Sequence, residues 1–305
     1  MAWVKRIFLF ALVNIAVLVT VSLVLNLLGV GNYRTGSGAG ASLNHMALLA
    51  FCLVWGMVGS IISLLLSKVI AKWTMQVQIV PPGAGGREGD LYQTVSRLAK
   101  AAGLPRTPEV GIYPSMEVNA FATGPSKARS MVAVSQGLLS TMQRSEVEGV
   151  LAHEIAHIAN GDMVTMTLIQ GIVNAFVMYV ARVAAFGVSQ FLRGNDEEGE
   201  GLGHIAHMLT VFVFELLFGI LGSLVVNWFS RHREYRADAG GAQFAGRQNM
   251  IAALQRLKIY SERDDDAGAQ LATLKINHKR PKFLGLFATH PPLEERIARL
   301  QKFAV

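Results

Sequence analysis

The chain has 305 residues, of which 51% are hydrophobic and 16% are charged, and its mean hydropathy is +0.37. These values exclude an ordinary soluble protein and favour a membrane protein with a soluble portion. The net charge of +7 does not indicate nucleic-acid binding, because no run of lysine and arginine is interleaved with aromatic residues. The only cysteine, Cys52, excludes an intramolecular disulfide and a cysteine-based metal site.

Two uncharged runs near the N-terminus are long enough to cross a bilayer as helices. They extend from Ile7 to Leu28 and from Leu43 to Ser67, and a crossing needs about 20 apolar residues. The first run is longer than the apolar core of a cleaved signal peptide, so we expect it to be retained. The outer flanks carry the basic residues Lys5, Arg6, Lys68 and Lys72. Because the loop between the runs has only Arg34, both outer ends are predicted to be cytoplasmic.

A segment with the composition of a soluble domain follows from Trp73 to Ser145. Its amphipathic stretch from Asp90 to Ala102 predicts a helix, which the next glycine and proline end. Three short segments then predict a small sheet. They are Glu109 to Tyr113, Val118 to Thr123 and Met131 to Ser135. The edge of this sheet either binds an extended substrate as an added strand or has no such role, and the sequence leaves both open.

The central motif is a pair of histidines four residues apart, with a glutamate directly after the first. Ser145 and Glu148 form a predicted capping box that begins its helix. His153 and His157 then share one helical face, where both imidazoles can bind one Zn²⁺. Glu154 stands beside such a metal and can move a proton from water to a leaving amine. The alternative is a pair of satisfied core histidines, so the metallopeptidase hypothesis depends on the remaining chain.

Two further apolar runs, Met163 to Phe191 and His204 to Phe229, predict a helical hairpin. Asp162 is suited to cap the first of these helices. The turn from Arg193 to Gly203 is acidic, and the residues after the second run include Arg231, Arg233 and Arg236. This charge distribution predicts four crossings in all, with the chain returning to the cytoplasmic side.

Four polar residues in the hairpin have two interpretations each. Arg182 and Glu215 are costly in a bilayer unless they pair with each other, and we favour that structural role over a functional one. His204 and His207 either bind a metal or lie at the membrane interface. The interface is the favoured interpretation, because both precede an apolar helix.

A catalytic zinc site needs a third protein ligand. The metzincin spacing would require a histidine where Met163 stands, so that class is excluded. After the hairpin, Glu234 can complete a site with two histidines and one glutamate, and Asp238 can accept the free N–H of a zinc-bound imidazole. His232 is a competing ligand. The whole segment is alternatively a solvated helical face with ion pairs.

The C-terminal part predicts two helices joined by polar segments. The first is amphipathic and extends from Ile251 to Ser261, and a charged loop is predicted from Arg263 to Asp266. The last helix, from Leu293 to Phe303, is begun by two prolines.

With these motifs the chain resembles the HtpX membrane zinc metalloproteases, relatives of the integral-membrane endopeptidases that trim prenylated proteins. The resemblance covers essentially the whole chain. It depends on four stretches: Asn119-Ala120-Phe121, His153 to Asp162, Glu234 to Asp238, and Thr289-His290-Pro291-Pro292. It implies an α+β, mainly helical fold in which transmembrane helices accompany a gluzincin-like (zincin) catalytic domain with a small β-sheet.

The resemblance also implies roles for individual residues. One Zn²⁺ per chain would be bound by His153, His157 and Glu234. Glu154 would be the general base, and His290 and Arg296 would stabilise the oxyanion, which suits a negative charge beside a metal. The substrate-binding edge strand would include Asn119, Ala120 and Phe121.

We therefore expect a zinc endopeptidase of the bacterial inner membrane, with both termini and the active site in the cytoplasm. Its partners would be the lipid bilayer and membrane-protein or unfolded polypeptide substrates, in quality control under stress. Two alternatives stay open, a prenyl-protein-type endopeptidase of narrow specificity and a non-enzymatic zinc scaffold. The expected divisions are two transmembrane helices (1–72), a catalytic part (73–162), the hairpin (163–230) and a second catalytic part (231–305).

Overall fold

The computed structural model of the protein describes residues 19–27, 34–35, 42–193, 203–271 and 290–302. Its helices are, in chain order, α1 (His45–Thr74), α2 (Gly86–Ala101), α3 (Gln136–Thr141), α4 (Arg144–Asn160), α5 (Asp162–Arg193), α6 (His204–Ala245), α7 (Arg247–Leu271) and α8 (Leu293–Lys302). Residues 19–27 are also helical. The strands are β1 (Arg34–Thr35), β2 (Ser42–Leu43), β3 (Gln78–Val80), β4 (Glu109–Tyr113), β5 (Ala120–Thr123) and β6 (Met131–Ser135). A mainly helical fold with a small sheet is confirmed.

Parts of four predicted features lie outside the described residues. These parts are 7–18 and 28 of the first predicted span, 194–202 of the acidic turn, Thr289 of the last motif, and Phe303 at the end of the last helix.

The chain divides into two compact units. One comprises Met1–Ser63 and Met166–Val226, and the other comprises Leu64–Thr165 and Asn227–Val305. Every predicted metal ligand and catalytic residue therefore belongs to the second unit.

The first unit is built from apolar helices. Among the described residues, α1, α5 and α6 are each long and apolar enough to cross a membrane. Helices α1 and α5 approach closely at two glycines, since a Cβ on Gly56 would lie 2.5 Å from the carbonyl oxygen of Gly171. Arg182 on α5 pairs with Glu215 on α6 at 2.6 Å, as the structural interpretation of these residues predicted.

The second unit contains a four-stranded sheet in the order β3-β4-β6-β5. Strands β4 and β6 are parallel and have the predicted bounds, and β5 is antiparallel to β6. Strand β5 begins at Ala120 rather than at the predicted Val118. Strand β3 was not predicted from its three residues. In this order β4 and β6 are the central strands, and every residue of β6 is buried, whereas β3 and β5 are the edge strands.

Helices α2 and α4 pack on the sheet to form the core of this unit. The core includes Leu98 of α2, Val132 of β6 and Leu151 and Ile155 of α4. Helix α7 also lies against α4, and this contact requires Gly149, since a Cβ there would be 2.4 Å from the carbonyl oxygen of Asn249. Buried on several sides, α4 is a rigid support for the side chains that it carries.

The start of α4 differs from the prediction. Its capping box consists of Gln143 and Glu146, not of Ser145 and Glu148. The Glu146 carboxylate accepts a hydrogen bond from the backbone N–H of Gln143 at 2.7 Å. The helix therefore begins at Arg144, because an earlier pair satisfies the free N–H groups of the first turn.

Two C-terminal helices are longer than predicted. The expected second helix of the hairpin continues without a break as α6, so Glu234 and Asp238 lie on the same helix as the apolar run. The charged loop predicted from Arg263 to Asp266 is wrong, because α7 continues through it to Leu271. That segment has no proline or glycine to stop a helix.

Candidate active site

Helix α4 presents its two histidines on one buried face. His153 and His157 are each 8% exposed. Their Nε2 atoms point toward each other and are 3.1 Å apart. The spacing of four residues thus brings two imidazole nitrogens to one point, as helical periodicity requires.

Glu234 on α6 faces the same point. Its Oε2 atom lies 3.4 Å from Nε2 of His153, and its Oε1 atom lies 3.3 Å from Nε2 of His157. The three potential ligand atoms lie within 4.8 Å of one another. Both oxygens of Glu234 are buried, and they face nitrogen atoms of His153, His157, His290 and Arg296 at 2.9 to 3.4 Å. A buried carboxylate is costly without a partner, and two histidines with one glutamate are a ligand set of catalytic zinc. The residues present therefore fit a zinc ion.

Each imidazole is oriented by a carboxylate at its Nδ1 atom, the nitrogen that faces away from the ligand group. Oδ1 of Asp238 lies 3.0 Å from Nδ1 of His153, and Oδ2 of Asp162 lies 2.7 Å from Nδ1 of His157. With Nδ1 donating to a carboxylate, Nε2 of each ring is left free for a metal.

The contact of Asp162 was missed in the sequence, where this residue was expected only to cap α5. Gly161 ends α4 in the left-handed conformation, with φ at 73°, and this turn brings Asp162 back beside His157. A glycine four residues after the second histidine, followed by an aspartate, is the signal that could have found it.

The carboxylates make this point of the protein favourable for positive charge. Burial alone would lower the pKa of His157, but Asp162 and Glu234 outweigh it and raise the pKa to about 9. Burial is likewise outweighed at His153, whose pKa Asp238 and Glu234 raise. Burial opposes ionisation of Glu234, yet the surrounding imidazoles hold its pKa far below the usual range. The same field favours a bound divalent cation, for which the imidazoles must be neutral.

Glu154 lines a cavity next to the ligand group. The cavity has a volume of about 320 Å³, and His153 and Glu234 also line it. Glu154 is only partly buried, so it lies in the wall of the cavity rather than in the core. This arrangement leaves its carboxylate available for proton transfer.

His290 and Arg296 reach the same cavity from the segment that begins α8. Nδ1 of His290 lies 2.9 Å from Oε2 of Glu234, and the His290 side chain is 61% exposed. Arg296 is buried, and its guanidinium donates to both oxygens of Asp238 at 2.6 and 2.8 Å. The charge of Arg296 is therefore partly neutralised by Asp238, whereas His290 is open toward the cavity.

The predicted substrate edge lines the cavity only in part. Asn119 and Ala120 are in its wall, together with Val118. The ring of Phe121 instead packs against Tyr113, with 5.6 Å between the ring centres. Successive residues of a strand face opposite sides, which explains why Phe121 points elsewhere.

Three other histidines do not join the ligand group. Nδ1 of His232 is 3.0 Å from the carbonyl oxygen of Trp228, and the centres of the two rings are 4.1 Å apart. His204 and His207 lie on the first turn of α6. Among the described residues, the one group of three or more possible ligands is His153, His157 and Glu234.

Comparison with known proteins gives a family for the chain. The family model described as Peptidase family M48 matches residues 86–304. The chain is 54% identical over 304 residues to a protein named Protease HtpX homolog from Bacillus licheniformis, with 97% of this chain and 99% of that protein covered. It is 51% identical over 297 residues to Protease HtpX from Shewanella sp. (strain MR-4), with the same two shares covered.

The fold is also found among solved structures. The crystal structure of S. mikatae Ste24p matches with a TM-score of 0.56 and 20% sequence identity. The match covers 83% of this chain, which spans 58% of the length of that one.

These matches agree with the geometry of the site. M48 peptidases are zinc-dependent, and the three ligand residues lie within the matched range. Together with the apolar helices, the matches identify a bacterial membrane metalloprotease, not a non-enzymatic scaffold. The chain belongs to peptidase family M48 and, within it, to the HtpX proteases.

Proposed function

We propose that this protein is an endopeptidase that cleaves misfolded or unfolded membrane proteins at the cytoplasmic face of the bacterial inner membrane, in quality control under stress. The observation that carries the proposal is that the ligand group and Glu154 share one cavity with the edge of a sheet. An edge strand binds the main chain of a peptide, so it selects for extended polypeptide and not for one sequence. This property suits a protease whose substrates have in common only that they are unfolded.

The metal would be held by His153, His157 and Glu234, with Asp238 and Asp162 fixing the two imidazoles. When bound, zinc supplies a Lewis acid and lowers the pKa of the attacking water.

Glu154 performs the proton transfers. Its carboxylate accepts a proton from the attacking water and then donates it to the nitrogen of the leaving amine. His290 is the residue best exposed to a developing oxyanion, because its side chain is open and borders the cavity. Arg296 adds positive charge from its buried position and fixes Asp238.

Substrate binding divides between two walls of the cavity. On one wall the edge strand begins at Ala120, whose main chain is available to pair with an extended peptide, and Asn119 lies beside it. A second part of the wall comes from α7 and is apolar, with Met250, Leu254 and Leu257. It favours an apolar side chain beside the cleaved bond, as an unfolded membrane segment would provide.

Replacing Glu154 with glutamine tests the mechanism. Because the amide cannot accept the proton of water, Glu154→Gln should abolish cleavage of an unfolded membrane protein while zinc stays bound. Cleavage is measured on detergent-purified protein with chelator and with zinc added back, and bound zinc is measured by elemental analysis.

Glu148→Gln is the matched control. This glutamate is on the same helix but pairs with Arg97 at 2.7 Å and does not line the active-site cavity, so activity should be kept. Proteolysis that persists in Glu154→Gln, with contaminating protease excluded, would rule out the proposed role of this carboxylate.

A further inference from the structure

The segment that leads into the edge strand is fastened by a serine outside the predicted site. Ser135, at the end of β6, is fully buried. Its Oγ donates to the carbonyl oxygen of Glu117 at 2.5 Å and accepts from the backbone N–H of Asn119 at 3.2 Å. The backbone N–H of Ser135 also donates to the carbonyl oxygen of Asn119 at 2.9 Å. Asn119 is thus held by Ser135 through both of its main-chain groups.

The turn after Ser135 contacts the same segment. The N–H of Gly137 donates to the carbonyl oxygen of Ser115 at 2.8 Å. A Cβ on Gly137 would lie 2.1 Å from the carbonyl oxygen of Met116, so only glycine permits this approach. Ser135 and Gly137 together fix residues 115–119 to the start of α3, and we call this pair of residues the clamp.

The clamped segment, residues 115–119, leads into β5 beside the active-site cavity. The ladder between β5 and β6 begins only at Ala120, paired with Val134. Val118 and Asn119 precede the ladder but line the cavity with Glu154. Asn119 is exposed and Met116 is 73% exposed, so little apolar burial fixes this segment. The hydrogen bonds of the clamp therefore supply much of its order.

We propose that Ser135 is a positioning residue for substrate binding, which keeps the entrance of the edge strand in the extended conformation that accepts a peptide. The inference rests on the proposed function of the edge strand. Ser135 is absent from the cavity wall and from the ligand group. Its loss should therefore weaken binding of the substrate while the proton-transfer chemistry is kept.

The test is Ser135→Ala, compared with Ser130→Ala. Ser130 is also buried, but its Oγ donates only to the nearby carbonyl oxygen of Lys127 at 3.1 Å. Both full-length variants are purified in detergent and assayed with a fluorogenic apolar peptide. For Ser135→Ala we expect KM to rise about tenfold with kcat within about twofold, the pattern of lost uniform binding. Ser130→Ala should keep the KM of the wild type.

Two further measurements separate positioning from general damage. Ser135→Thr keeps the hydroxyl group and should restore KM toward the wild-type value. Hydrogen exchange of the wild type should show the amide of Asn119 protected, because its N–H is bonded to a buried oxygen. Fast exchange at Asn119 in the wild type would overturn the inference even if Ser135→Ala failed to fold.

Peptide binding distinguishes a failure of the clamp from a failure of the proposed function. Fluorescence anisotropy of the labelled peptide is measured with zinc-loaded Glu154→Gln, with and without Ser135→Ala. Weaker binding in the double variant supports the clamp even without observed cleavage. Equal affinity in both, or a fall in kcat with unchanged KM in the single variant, overturns it.

Discussion

At the scale of residues, the site depends on pairs of an imidazole and a carboxylate. Asp238 and Asp162 act on different histidines from different helices, yet the two contacts have the same geometry at Nδ1. Each carboxylate is itself buried. Asp238 has Arg296 as a second partner, and this ion pair helps to hold its pKa below the usual range although burial opposes ionisation. The carboxylate behind His153 is therefore itself fixed by an ion pair with Arg296.

We expect Asp162→Asn to weaken zinc binding. An amide keeps the shape of the side chain but removes the charge that favours the ring in its metal-binding form. The loss of affinity should be about 10- to 100-fold, as for other carboxylates behind zinc-bound histidines. Zinc affinity is measured by competition with a chelator, and kcat is measured with zinc in excess.

Asp90→Asn provides the control for this change. Asp90 lies on α2 and contacts Arg144 at 3.6 Å with both side chains exposed, so its loss should leave zinc affinity unchanged. Wild-type affinity in Asp162→Asn would contradict the role of this carboxylate in orienting His157.

The sequence predicted part of this chemistry for identifiable reasons. The helical period alone puts His153 and His157 on one face. The contact of these residues with Glu234 depends on the path of the chain over more than seventy intervening residues. The sequence therefore suggested Glu234 as a ligand but did not exclude that Glu234 lies on a solvated helical face. Asp162 was missed, since its contact depends on a left-handed glycine that reverses the chain locally.

At the scale of elements, the strands were predicted best where they are central. Strands β4 and β6 are each five residues long and contain mostly apolar residues, and both have the predicted bounds. Strand β3 has three residues with two exposed, so it carries too little apolar pattern to be seen. The start of α4 was misplaced by two residues because overlapping polar pairs offer two capping boxes, and packing selects one of them.

The crossing of α1 and α5 is a close helix contact in the first unit, and we predict that it does not tolerate a side chain. A Cβ at Gly56 would approach the backbone of Gly171 and Ala175 to 2.5 and 2.8 Å. Apolar helices in lipid associate through such close backbone packing. Gly56→Ala should therefore destabilise the protein by about 1–3 kcal/mol, the cost of overpacking a well-packed contact.

The measurement is the thermal unfolding midpoint of purified protein in one detergent. Gly187→Ala on α5 is the matched control, since nothing lies within 4 Å of a Cβ at that position, and its midpoint should be unchanged or slightly higher. An unchanged midpoint for Gly56→Ala would mean that the two helices move apart without cost.

At the scale of the whole molecule, the charge distribution argues for one orientation in the membrane. Basic residues follow the apolar part of α1, at Lys68 and Lys72, and also follow the apolar part of α6. The sequence between α5 and α6 is acidic instead. From the positive-inside rule we propose that the sheet and the ligand group are on the cytoplasmic side and the acidic turn is on the opposite side.

Cysteine labelling tests this orientation, because the chain has a single natural cysteine that can be removed as Cys52→Ala. In that background, Met116→Cys marks the exposed segment beside the cavity, and Gly203→Cys marks the exposed start of α6. We expect a membrane-impermeant maleimide to label Gly203→Cys in intact spheroplasts and Met116→Cys only after the membrane is opened. The parent without cysteine corrects for background.

The two sites also separate the possible errors in the orientation. Labelling of Met116→Cys in intact spheroplasts would put the cavity outside the cytoplasm and contradict the proposed place of cleavage. Labelling of Gly203→Cys only after opening would mean that the hairpin does not reach the far side, although α5 and α6 are both long enough to span. Misfolded membrane proteins expose unfolded segments on both faces of the membrane. The labelling pattern of the two cysteines therefore decides which of these segments the protease can reach.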